Sequence, residues 1–339
     1  MGEREPRPEQ AENKSSDYQQ YLESRHAGFE IPTEKLEAVV EEATSSRPVS
    51  VERITSGEVN EVYDVTLPAD QHVIVRISRN KDSEFGREVW AIEQAKDVGV
   101  PVPEMLLVTK VTVENSDPLR VCVQNKLAGE PLERGRIDYG KIEPALLRSY
   151  MRQAGEILSK IHSIPVTGFG SLNEQGRGSV SMFQSLMSRN IEQRDSFEEI
   201  GRRRGMDMNV IDRVFTLLQE NVASAQEFQP VLTHGDFGPK HMMVEGNKMT
   251  GIIDWGGVSG HSPVHDFAGF ILWYPELPFD ALQEGYADKE LFDNDFEKKL
   301  QWIALDNALG ALEWYDKNNF EAGIQYLIDK MREILHFSR

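Results

Sequence analysis

The sequence predicts an α+β protein of two lobes: an N-terminal lobe with an antiparallel β sheet and one helix, and a larger, mostly helical C-terminal lobe. Three observations predict it. Short β-rich runs crowd residues 51–127, helical periodicity dominates from about residue 143, and 339 residues exceed the roughly 250–300 at which one core stops growing. The expected division is a flexible tail over 1–30, a first lobe over 31–127 and a second over 128–339.

The tail is expected because residues 1 to about 16 carry almost no apolar side chains to offset the entropy of ordering. A helix begins near Thr33, behind Pro32, with Leu36, Val39, Val40 and Ala43 at helical spacing, and ends before Pro48. Runs bounded by Pro, Asp, Asn and Ser then read as strands at 51–54, 59–67, 72–77, 105–113 and 120–127. One helix interrupts them from Ser83 to about Val98. Gly99 closes it, and Pro101 and Pro103 force an extended exit. Beyond Gly129 the periodic segments 143–162, 207–226, 294–316 and 319–336 are helices, and only 231–254 breaks the pattern. His162 is expected to satisfy carbonyls at its helix end, and Trp273, Tyr274 and Trp302 to be core.

Composition excludes some functions. Lys and Arg number 37 against 56 Asp and Glu, a formal charge of -19, so a nucleic-acid backbone would be repelled. Cys122 is the single cysteine; it cannot form an intrachain disulfide, and its apolar neighbours Val121 and Val123 mark a buried strand residue. The first thirty residues lack an apolar signal region and no apolar run approaches the roughly 18 residues of a span, so the expectation is a cytoplasmic protein without a membrane partner.

The chemistry concentrates in 231–254. Gly246-Asn247 between apolar runs is a hairpin turn, which sets Glu245 opposite Lys248, Val244 opposite Met249 and, continuing the register, His241 opposite Ile252. His241 and Asp254 then share the hairpin's open end, and the loop carrying Asp236 feeds that end. Two carboxylates and an imidazole converging at strand ends suit a metal and phosphate site; the ordinary alternative is turn capping.

His234-Gly235-Asp236 and Ile252-Ile253-Asp254-Trp255 resemble the motifs of the aminoglycoside phosphotransferase family, with upstream features agreeing over 51 to about 316. The resemblance implies a bilobal protein-kinase-like fold and phosphoryl transfer from ATP, or GTP, with Mg²⁺ or Mn²⁺. It implies that Asp236 is catalytic, that Asp254 holds the metal, and that His234 and Asp266 support the loop. His241 stands where the family pattern has Asn, so metal binding there is expected to be altered, because Mg²⁺ prefers oxygen. Lys240 either meets the γ-phosphate or is simply solvated.

On the nucleotide side, Ser56, Gly57 and Asn60 would lie in the loop over the phosphates, although the kinase Gly-rich pattern is absent. Arg76 takes the place of the strand lysine with Glu88 as its partner, and Gln124, Asn125 and Leu127 form the adenine-binding hinge. Asp236-Phe237-Gly238 and the segment 303–314 look most like the hygromycin-kinase branch. The acceptor this implies is a hydroxyl of a cationic aminoglycoside or aminocyclitol, an antibiotic-resistance activity, with carboxylates such as Asp280, Glu284, Asp293 and Glu297 facing its ammonium groups. Other small alcohols (macrolides, sugars, choline-like compounds, homoserine) and a nucleotide-binding pseudokinase are the competing readings. The protein is expected to be a monomer or homodimer.

Overall fold

The computed structural model describes residues 18, 20–55, 57, 59–78, 85–113, 117–133, 141–222 and 228–336. Contacts divide the chain into two units, residues 1–89 with 103–128 and residues 90–102 with 129–339.

In the first unit, α1 (Thr33–Thr44) starts directly behind Pro32 and ends where Ser45 turns left-handed. Strands β1 (Ser50–Ile54), β2 (Asn60–Leu67), β3 (Gln71–Ser78), β4 (Met105–Val111) and β5 (Leu119–Asn125) form one antiparallel sheet in the order β1-β2-β3-β5-β4. Strict alternation along β2 decides its faces. Tyr63, Val65 and Leu67 join Val73, Val75, Ile77, Val121 and Val123 in the core, against Leu36, Val39 and Val40 of α1. Each such side chain, fully removed from water, stabilises the fold by about 1.5–3 kcal/mol. Cys122 is buried on the opposite face.

Two expectations change here. Residues 20–26, placed by their composition in a flexible tail, are helical, and Tyr21, Leu22 and His26 are buried; residues 1–17 lie outside the described residues. The helix expected from Ser83 runs as α2 (Gly86–Asp97), with 83 and 84 outside the described residues.

The second unit is not helical throughout. Its long helices α3 (Pro144–His162), α6 (Met208–Val222), α9 (Phe296–Lys317) and α10 (Glu321–Leu335) lie where periodicity placed them, with α4 (Phe183–Glu192), α5 (Arg194–Arg203), α7 (Val264–Trp273) and α8 (Phe279–Gly285) between. Glu143 caps α3 by accepting the Leu146 N–H at 2.9 Å, with Pro144 at the first turn. Short strands also interrupt the helices. Strands β6 (Glu130–Pro131), β10 (Met242–Glu245) and β11 (Lys248–Ile252) form one sheet; β7 (Phe169–Leu172), β8 (Gly178–Val180), β9 (Val231–Thr233) and β12 (Ser259–His261) form another, in the order β8-β7-β12-β9. Trp302 and Tyr274 are buried as expected, while Trp273 is half-buried and stacks on Tyr326 at 5.6 Å.

The β10–β11 hairpin turns at Gly246-Asn247 with Glu245 opposite Lys248 and Val244 opposite Met249, but a bulge between Met243 and Val244 shifts the pairing toward the open end by one residue. Met242, not His241, therefore faces Ile252. The bulge lies where Met243 and Val244 also pair with Pro131 and Glu130 of β6. From α3, Gln153 anchors the hairpin by donating to the Asn247 carbonyl at 3.0 Å and accepting the Met249 N–H at 2.9 Å. Among the described residues, no helix is long and apolar enough to cross a membrane.

Candidate active site

At the end of β9 the Thr233 hydroxyl bonds the carbonyl and hydroxyl of Ser259 on β12, at 3.0 and 2.9 Å, so the loop His234-Gly235-Asp236 leaves the sheet from a fixed point. Gly235 has φ +77°, and a Cβ there would stand 2.1 Å from the Gly257 carbonyl oxygen; backbone and space both require glycine. Asp266, in the first turn of α7, braces this loop. Its Oδ2 accepts the His234 N–H and its Oδ1 the Gly235 N–H, each at 2.8 Å, and His162 Nε2 lies 3.0 Å from Oδ2. Burial works against the Asp266 charge, but the hydrogen bond and charge of His162 outweigh it and hold the carboxyl well below the usual range.

His162 thus differs from expectation: its ring reaches Asp266 and the Tyr286 hydroxyl, at 3.1 Å, rather than its helix-end carbonyls. His234 is fully buried. Its Nδ1 accepts the Asp236 N–H at 3.3 Å and its Nε2 donates to the Ile253 carbonyl at 3.2 Å, which assigns the neutral ring with the proton on Nε2. Burial first, then the neighbouring His241, lowers its pKa in agreement with that assignment.

Asp236 and Asp254 meet at His241. A short turn, Pro239–His241, carries the imidazole so that Nδ1 donates to the Asp236 carbonyl at 2.8 Å and stands 3.8 Å from the Asp236 carboxylate, while Nε2 lies 3.4 Å from Asp254 Oδ2. The bulge places His241 beside Ile253, whose N–H donates to the His241 carbonyl at 3.0 Å, so the shifted register preserves the convergence. Both carboxylates are half-exposed, at 40% for Asp236 and 46% for Asp254. Lys240 Nζ is 3.0 Å from Asp236 Oδ2. Burial alone would raise the Asp236 carboxyl, but Lys240 and then His241 outweigh it, leaving its pKa below the ordinary value. Asp254 has φ 61° and ψ 66°, the left-handed region that Asp tolerates better than most residues.

The donors suit a divalent cation only in part. With Nδ1–H committed to the Asp236 carbonyl, His241 Nε2 is the ring nitrogen directed at Asp254. That is one nitrogen and one carboxylate, and among the described residues no three His, Cys, Asp or Glu are grouped to hold a metal. Such a pair fits an ion whose remaining ligands are phosphate oxygens and water.

In the first unit, Ser56 lies outside the described residues. The ladder pairs Asn60 with Ser78, Val62 with Arg76, Arg76 with Cys122 and Ile74 with Gln124, so Asn60, Arg76 and Gln124 share the sheet face opposite the α1 core. Arg76 Nη1 donates to Glu88 Oε2 at 2.6 Å, and its guanidinium lies 5.5 Å from the Phe85 ring centroid. Both partners are buried. Gln124 is buried as well, and its Oε1 has no hydrogen-bond partner among the described residues. Asn125 Oδ1 accepts the Glu104 N–H at 2.6 Å, and half-buried Leu127 lies beyond the end of β5. Gly57 accepts a hydrogen bond from His26 Nε2 at 2.8 Å.

The acidic residues expected to face a cationic acceptor are partly engaged within the protein. Arg148 lies 2.9 Å from both Asp280 and Glu284, Arg152 lies 2.8 Å from Glu284, and Lys299 pairs with Asp293 at 2.9 Å. The segment 303–314 also holds a titrating carboxyl that the sequence did not single out for chemistry: Asp306 on α9, held by Asn190 at 2.7 Å, is pushed up to about 7 by burial.

Comparison with known proteins accords with this geometry. Over 240 residues the chain is 21% identical to hygromycin-B 4-O-kinase of Escherichia coli, a match spanning 70% of this chain and 66% of that enzyme. A thermostable mutant of the aminoglycoside phosphotransferase APH(4)-Ia, solved with AMP-PNP and hygromycin B, superposes with a TM-score of 0.70 over 90% of this chain and 99% of that one, at 18% identity. Macrolide 2'-phosphotransferase MphH from Brachybacterium faecium, solved without ligand, gives 0.55 over 87% and 97%, at 14% identity. The architecture is therefore bilobal and kinase-like, as expected, with greater likeness to the hygromycin-B kinases than to the macrolide kinase. Residues 50–300 match the model of the phosphotransferase enzyme family, a span containing the Arg76–Glu88 pair, the His-Gly-Asp loop and Asp254, and the chain belongs to that family.

Proposed function

We propose that this protein is an ATP-dependent small-molecule kinase that transfers the γ-phosphate to a hydroxyl of an aminoglycoside or aminocyclitol related to hygromycin B. The observation that carries this reading is the pair of half-exposed carboxylates, Asp236 and Asp254, set about one imidazole on a loop braced by a buried aspartate. Phosphoryl transfer asks for little else: a carboxylate at the attacking hydroxyl, charge neutralisation at the phosphates, and rigid placement.

In this reading the acceptor oxygen forms a bond to the γ-phosphorus as the bond to the β-phosphate oxygen breaks, and the hydroxyl proton passes to Asp236. Lys240 keeps Asp236 ionised and aimed. His234, through its Nδ1, and Asp266 fix the backbone that carries it. Asp254, with His241 Nε2, would hold Mg²⁺ or Mn²⁺, which when bound supplies charge neutralisation at the phosphates. In the first unit, Arg76 would meet phosphate oxygens while Glu88 holds its guanidinium. Gln124, Asn125 and Leu127 would flank the base, and Gly57 and Asn60 the phosphates, with GTP as the alternative donor.

The test is ADP release and a phosphoryl mass gain on a panel holding hygromycin B, other aminocyclitols, a macrolide, a sugar, choline and homoserine. Phosphorylated aminocyclitol is the expected product, with Asp236→Asn slowing turnover at least about 100-fold. Product on another alcohol alone would replace the acceptor class. Equal, residual ATP consumption by wild type and Asp236→Asn would make the chain a nucleotide-binding pseudokinase.

A further inference from the structure

Composition assigned residues 20–26 to a tail, yet their last residue sits at the centre of a buried polar cluster. His26 is 4% exposed and Glu61, on β2, is wholly buried. His26 Nδ1 faces both Glu61 oxygens, at 3.0 and 2.9 Å, and Nε2 faces the Gly57 carbonyl at 2.8 Å. Glu61 as a carboxylate and a peptide carbonyl can only accept, so the ring makes both contacts as hydrogen bonds when each nitrogen carries a proton. Arg53 of β1 closes the cluster. It donates through Nη2 to Glu61 Oε2 at 2.6 Å and to the His26 carbonyl at 3.0 Å, and through Nε to Glu61 Oε2 at 3.1 Å.

We infer that His26 is a positioning residue for the nucleotide: through it, the segment before α1 holds the Gly57 backbone that the functional reading places over the phosphates. The inference rests on that reading. The β1–β2 ladder ends at Ile54 opposite Val62, so Gly57 lies beyond the paired residues of its own hairpin. His26 reaches it from outside the hairpin. Glu61 is the residue next to Asn60, and its backbone pairs with Ile77 on β3, the strand that carries Arg76. A phosphate-binding backbone displaced by about 1 Å loses much of its effect, and His26 resists that displacement without touching the nucleotide.

His26→Ala leaves Glu61 paired with Arg53, so the buried carboxylate keeps a counter-charge and the variant can fold. The experiment compares wild type, His26→Ala, His26→Gln and the core variant Val40→Ala for Tm, ADP affinity by calorimetry, and KM for ATP and for the acceptor. His26→Ala is expected to weaken ADP binding and raise KM for ATP about tenfold, with kcat and acceptor KM within about twofold. His26→Gln, which keeps a donor, recovers part of the loss. Val40→Ala lowers Tm with nucleotide affinity intact. Unchanged nucleotide affinity in His26→Ala, or an equal loss in Val40→Ala, would overturn the inference. Wild type that binds no ADP would overturn the functional reading instead, and this inference with it.

Discussion

Asp254 and Asp266 serve one loop in opposite ways. Asp266 is completely buried and receives two backbone N–H groups and an imidazole. Asp254 is half-exposed, sits on left-handed backbone, and faces His241 across 3.4 Å. A carboxylate whose bonds are all internal fixes geometry, whereas one held on a strained backbone with an exposed side chain is placed for something outside the protein. The contrast extends to Asp236, half-exposed like Asp254 and carried on the backbone that Asp266 braces.

The largest expected effect tests that division. Asp266→Ala leaves the buried His234 N–H, the Gly235 N–H and His162 without their acceptor, a loss of about 3–5 kcal/mol that should appear as a lower Tm and poor folding. Asp236→Asn should leave Tm within a few degrees while abolishing most turnover. If Asp236→Asn destabilised the protein as much as Asp266→Ala, the distinction between brace and reactive group would fail.

This division was readable in the sequence at the level of motifs and not at the level of contacts. β2 alternates residue by residue, and Gly246-Asn247 marks its own turn, so the first sheet and the hairpin end were legible. The bulge was not, because it coincides with pairing to Glu130 and Pro131, more than a hundred residues away in the chain. His162 read as a helix end, while its partners Asp266 and Tyr286 lie 104 and 124 residues along. β8 and β12 hold three residues each, too few to show a period of two. Tyr21, Leu22 and His26 lie too close to a polar terminus for composition to separate them from it. Asp236, Asp254, His241 and Asp266 were legible because motif chemistry constrains residue types, whereas the arginines that engage Asp280 and Glu284 follow no such pattern.

Near Asp266, buried His261 and half-buried His265 predict how this region responds to acid. The His261 and His265 rings lie tilted against each other with centroids 4.1 Å apart, and desolvation lowers the pKa of both, His261 furthest. Both rings favour the neutral form in the fold and charge more readily when unfolded. Their contribution to stability is therefore whole above about pH 6.5 and is lost as pH falls below it, at up to about 1.4 kcal/mol per pH unit for each ring. Asp266, lowered in the fold, adds a loss in the same direction only below about pH 3.9. Wild-type Tm should thus fall between pH 7 and 5, and the double variant His261→Gln, His265→Gln should show a flatter profile over that window. A flat wild-type profile would remove the histidines from the account of the brace.

The smallest effect expected separates Lys240 from the brace. After the opposing influence of burial, Lys240 is the largest influence on the Asp236 carboxyl and lowers its pKa. On the proposed function Asp236 takes the acceptor proton and must be ionised, so activity should fall as pH drops through its pKa. Removing the ammonium in Lys240→Met raises that pKa and moves the acid limb of kcat toward neutral pH. The pair is 45% and 40% exposed, so solvent screening keeps the shift small. Tm should be nearly unchanged, since neither side chain is core. A pH profile superimposable on wild type would show that Lys240 is only solvated beside Asp236, whereas a loss of ATP affinity with no movement of the acid limb would assign it to the phosphate instead.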